Sequence, residues 1–132
     1  MAIRDLISNL KANASLAPAA RVTGTATGTA IDLRGFDAAM VVVSFGAYTD
    51  GTHTPSLQHS VDGTTYTTPS VSDVQGSFTA VSSGAGANTV QSVGYCGVQR
   101  YLRVVMTTTG ATTGATSNAT IITGRPHRAP VA

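Results

Sequence analysis

From residue 21 onward the chain sets short apolar runs between Gly, Asp and Pro at intervals of about eight to twelve residues, the spacing of an all-β sandwich or barrel. Residues 38–47 are almost continuously apolar and predict a central strand buried on both faces. In residues 101–107, Leu102, Val104 and Met106 fall on one face of a strand and Tyr101, Arg103 and Val105 on the other, which predicts the first three as core. Leu57, His59 and Val61 alternate with Gln58 and Ser60, and Asp62-Gly63 supplies a turn that sends a hairpin back through residues 64–67. Further strands are expected within residues 22–33, around Phe78, and over residues 89–94 and 118–123. Seven or eight strands, with no internal repeat and no alternating helices, predict an antiparallel β-sandwich of jelly-roll or related Greek-key kind.

The two ends break this pattern. Ile3, Leu6, Ile7 and Leu10 stand at i, i+3, i+4 and i+7, an apolar stripe that predicts a short N-terminal helix, and an Ala-rich stretch with Pro18 follows it. Residues 1–20 are therefore expected to form a helical arm, 21–123 the sandwich, and 124–132 an extended C-terminal tail whose prolines cannot continue a ladder. So short a helix is marginal in water unless its stripe packs on its own domain or on a neighbouring subunit. Ile3, Leu6, Ile7 and Leu10, with Arg125, His127 and Arg128 in the tail, are the candidate interface residues.

Composition adds that the core must be thin. Hydrophobic residues make up 42% of the 132, but Ala is prominent among them, Trp is absent and aromatics are 5%. Ser and Thr together are about a quarter of the chain, there is no Glu, and Lys11 is the single lysine. The one cysteine, Cys96, can form no internal disulfide, so stabilisation is expected from association with other chains. No stretch approaches the roughly 18 apolar residues that span a bilayer, and the start lacks a basic segment followed by an apolar one, so no membrane partner and synthesis in a cytoplasm are expected. The net charge of +2 comes from scattered basic residues, which does not predict nucleic acid as a partner.

The sequence offers little to catalysis. Hydroxyls are everywhere, and no local context raises one Ser above the others beside His53, His59 or His127. Asp50 and Asp62 both precede Gly, where Asp is favoured for turn geometry alone. His53 and His59 have no third ligand nearby, so no metal is expected, and His59 reads as a hydrogen-bonded core or interface residue. Cys96 is expected to be a small buried thiol. Arg100 and Arg103 read as a solvated or subunit-facing edge open to bidentate pairing with Asp. No enzyme and no cofactor are expected.

Several segments together resemble small virion proteins of tailed bacteriophages encoded among the head genes: residues 33–37 (Leu-Arg-Gly-Phe-Asp), 48–55 (Tyr-Thr-Asp-Gly-Thr-His-Thr-Pro), 58–63 (Gln-His-Ser-Val-Asp-Gly) and 94–103, with the Gly-rich turn at 110–114 and the segment 124–130. The resemblance covers roughly residues 18–130. It implies a head decoration, or cement, protein: a β-sandwich that binds the outside of the shell built by the major capsid protein, as a homo-oligomer on the virion surface, after synthesis in the bacterial host cytoplasm. Two alternatives stand beside it. One is a carbohydrate-binding module displayed on a virion, with Tyr48 or Tyr66 in its platform, and the other is a tail-tube or head-tail joining subunit.

Overall fold

In the computed structural model, residues 5–128 of the chain are described. They fold into two antiparallel sheets packed face to face, as the strand pattern predicts. The strands are β1 (Lys11–Arg21), β2 (Gly24–Thr27), β3 (Ile31–Asp32), β4 (Phe36–Tyr48), β5 (Thr52–Ser60), β6 (Val74–Gln75), β7 (Val90–Tyr95), β8 (Tyr101–Thr109) and β9 (Ala115–Pro126). The first sheet has the order β1-β9-β4-β7-β6. In the second, β2 and β3 share one edge of β8 and β5 takes the other.

Alternation along the strands builds the core. Val41, Val43 and Phe45 of β4, Ala119 and Ile121 of β9, and Val93 and Tyr95 of β7 face Leu57 of β5 and Leu102, Val104 and Met106 of β8. Leu102, Val104 and Met106 are fully buried, as expected. β4 is the central strand of its sheet, but it is not buried on both faces. Met40 is 43% exposed and Val42 half-buried, because they stand on the outer face of the first sheet, which Leu10 covers at Gly124 and Gln75 covers at Gly94 while its middle stays open. The unbroken apolar run thus reports one buried face and one open apolar face.

The expected N-terminal helix is replaced by one turn and a long strand. Asp5 Oδ1 accepts from the Ser8 amide at 3.1 Å, and Asn9 and Leu10 amides donate to the Leu6 carbonyl at 3.0 and 2.9 Å. From Lys11 the chain is extended and pairs with β9, beginning at Lys11↔Thr123 and ending at Arg21↔Ala115. The reason is a competition between ladders. An isolated short helix gains little in water, whereas the outer edge of β9 offers a row of backbone partners that would otherwise be left unpaired. Pro18, which opposes a helix interior, is tolerated in an edge strand. Residues 11–20 therefore belong to the sandwich and not to a separate arm. Ile3 lies outside the described residues.

The C-terminal boundary also moves. β9 runs on to Pro126, with Ala38↔Gly124 and Phe36↔Pro126 as its last pairs, so the first residues of the expected tail extend the ladder. Arg125 adopts φ 50° between those pairs, the register is kept across it, and proline stands at the strand's final position. The ladder is closed by the His127 amide, which donates to the Gly35 carbonyl at 2.8 Å.

One device ties the sheets together. Register shifts on either side of Leu16 push β1 toward the second sheet, burying Ser15. Ser15 Oγ accepts from the Val104 amide at 3.1 Å and donates to the Thr29 carbonyl at 2.9 Å. The Thr29 amide in turn donates to the Ser15 carbonyl at 2.6 Å. This contact needs glycine at position 28, where a Cβ would stand 2.4 Å from Ser15 Oγ and 2.6 Å from the Val104 carbonyl oxygen.

Candidate interaction surfaces

The residues singled out for chemistry are placed in structural roles. His53 is fully buried in β5, with Nδ1 3.1 Å from Thr108 Oγ1 and Nε2 3.0 Å from the Asp50 carbonyl oxygen. His59 is buried, as expected, and its Nδ1 lies 2.8 Å from the Tyr95 hydroxyl, whose own pKa burial pushes up. The Asp50 carboxylate accepts from the amides of Gly114 at 2.6 Å and Thr112 at 3.1 Å, and these bonds hold its pKa down. It fastens the β4–β5 turn to the β8–β9 turn. Among the described residues, no three His, Cys, Asp or Glu side chains converge as metal ligands.

Cys96 is exposed rather than buried, because the chain leaves the sheet at Tyr95 and the Cys96 amide bonds the Asp73 carbonyl at 2.8 Å. The expected hairpin at Asp62-Gly63 is also different. The turn forms, but Thr64–Thr67 makes no strand, and only a single bridge, His59↔Thr67, closes it. The Asp62 carboxylate captures the amides of Thr64 and Thr65 at 2.9 and 3.0 Å and the Ser60 hydroxyl at 2.9 Å, which lifts this segment out of the ladder.

Arg100 meets Asp32 in a bidentate pair at 2.9 and 2.7 Å, the pairing open to it in the sequence, and that guanidinium lowers the Asp32 pKa. Arg103 donates to Gln58 and lies over the Tyr66 ring, 3.6 Å from its centroid. That contact bears on a sugar platform. One face of Tyr66 is covered by Arg103, and the half-buried Tyr48 donates its hydroxyl to the Gly51 carbonyl at 2.7 Å and stands edge-on to His53.

Three features face outward. The first is the N-terminal turn, where Leu6 and Ile7 are 68% and 83% exposed while Leu10 folds back over Gly124. The second is the start of the tail. His127 Nε2 pairs with Asp37 Oδ1 at 2.7 Å, beside a groove of about 450 Å³ between residues 33–39 and 97–100, and Arg125 and Arg128 are exposed. Because β1 begins opposite the end of β9, these candidate interface segments emerge at the same end of the first sheet. The third is the open face of that sheet. Sequence reasoning had no pairing to place Ile122 beside Met40, although the doubly apolar run of β4 was its signal.

Comparison with known proteins finds no matching family model, no matching curated protein and no matching solved structure.

Proposed function

We propose that this chain is a non-enzymatic structural protein of a tailed-phage virion, a decoration protein that binds the major capsid shell from outside. The observation that carries the reading is the N-terminal turn. Leu6 and Ile7 are consecutive large aliphatic side chains held in solvent by a capped turn directly before β1, at a cost in apolar exposure that docking on another protein would recover. The buried or hydrogen-bonded state of His53, His59, Asp50 and Asp62 fits a protein whose work is attachment.

The test is deletion of residues 1–9, which stops short of β1 and leaves every ladder among the described residues in place. The truncated protein is expected to keep the circular dichroism and melting profile of the full chain while its occupancy on capsids falls at least tenfold at a limiting concentration, about 1.4 kcal/mol of docking energy. Undiminished saturation of the shell by the truncated protein overturns the reading. Copy number separates it from a joining subunit, since decoration requires copies spread over the shell and joining requires a single ring.

A further inference from the structure

We infer that the open face of the first sheet is a self-association surface, on which a second copy of this chain packs about a two-fold axis. The face is formed by the even-numbered residues of β4 and β9 and their ladder partners. Met40 stands beside Ile122, and Val42 stands between Thr120 and Ser92. Val90, 66% exposed, closes one corner through its pairing with Ser44. No charged side chain stands in these rows, although the whole chain carries eight basic and six acidic residues.

The chemistry of the face selects its occupant. In a two-fold contact each group near the axis meets its own copy. Carboxylates only accept and ammonium or guanidinium groups only donate, so both repel themselves, whereas hydroxyls and amides donate and accept and can pair with their own kind. Thr120, Ser92, Ser44 and Asn118 are all of the second type, set among aliphatic side chains that are equally indifferent to which copy they meet. Edge-to-edge association is obstructed instead. β1 presents Pro18 and two register shifts, β6 has two residues, and the outer edge of β5 is bridged by Val81 and Thr67.

Size sets the strength. Four strands about 4.8 Å apart and seven residues at about 3.3 Å each give a face of roughly 19 by 23 Å, about 440 Å² per copy. Two copies bury about 900 Å², less than the roughly 1,200 Å² at which stable specific interfaces begin, so the association is a weak, reversible one. It concerns the chain alone and holds whether or not the protein rides on a capsid.

Sedimentation velocity of the full chain, from about 1 to about 300 µM, reads this directly. The expected result is a concentration-dependent monomer–dimer equilibrium that Val42→Asp weakens at least tenfold and that Val61→Asp, on an exposed loop elsewhere, leaves unchanged. Ser92→Asp carries the same test at an already exposed polar position should Val42→Asp fail to fold. A chain that stays monomeric throughout, a dimer indifferent to Ser92→Asp, or a dimer lost on deletion of residues 1–9 overturns the inference. The last of these outcomes would assign self-association to the N-terminal turn.

Discussion

Asp62 shows how much a single exposed side chain organises. Its carboxylate receives the Thr65 and Thr64 amides and the Ser60 hydroxyl, which together bring its pKa from 3.8 down to about 2. A group whose pKa is depressed by folding contributes order that is complete above its unfolded value and is lost as pH falls through its folded value. The 60–65 turn should therefore stay ordered at pH 5 and open between about pH 4 and pH 2, read from hydrogen exchange of the Thr64 and Thr65 amides. Asp62→Asn should abolish that acid-linked step. Asp50, held low by the Gly114 and Thr112 amides, should loosen the β8–β9 turn in the same direction. The Ser15 link is tested at neutral pH. Ser15→Ala leaves the Val104 amide without its acceptor and should cost about 1–3 kcal/mol in chemical denaturation. Gly28→Ala forces a methyl into the same contact and should cost about as much by overpacking.

At the scale of elements, β8 was legible because it buries large aliphatic side chains with a period of two, and β4 because its apolar run is nearly unbroken, although that run hid which face is open. β1 was not, because its 11 residues hold a single large apolar side chain, Leu16, and its Ala-rich composition reads as helix when no partner is in view. What makes it a strand is the vacant edge of β9, about a hundred residues away, and no local pattern reports that. The 64–67 segment failed in the opposite sense. The Asp-Gly turn was correctly seen, but the reach of the Asp62 carboxylate to the next amides is a side-chain competition that alternation does not register. Leu16 gives the element-scale prediction. It is the anchor of β1 in the core at 4% exposure, so Leu16→Ala should cost about 2–5 kcal/mol in thermal or chemical unfolding and release β1 from β9.

For the whole molecule, the thin core inferred from composition corresponds to a sandwich held by a few aliphatic residues, two buried histidines and the Ser15 link. The candidate interface residues were only partly legible. The stripe was expected to pack as one face, whereas Leu6 and Ile7 are exposed, Leu10 is turned inward on Gly124, and His127 is engaged with Asp37. The surface that sequence reasoning missed depends on cross-strand neighbours, which exist only once register is known.

The pairing of β1 with β9 has a consequence for how the protein is made. The ladder partner of β1 is β9, about a hundred residues later in the sequence, so during synthesis β1 must wait, unpaired, until β9 has emerged. Contacts of such sequence separation are slow to form, and an apolar strand exposed for that interval invites aggregation. The sequence of β1, Lys-Ala-Asn-Ala-Ser-Leu-Ala-Pro-Ala-Ala-Arg, with one large apolar residue, a proline and a cation at each end, is suited to that wait. The composition that hid β1 as a strand is thus also one that gives an unpaired strand little apolar surface for other chains to add to.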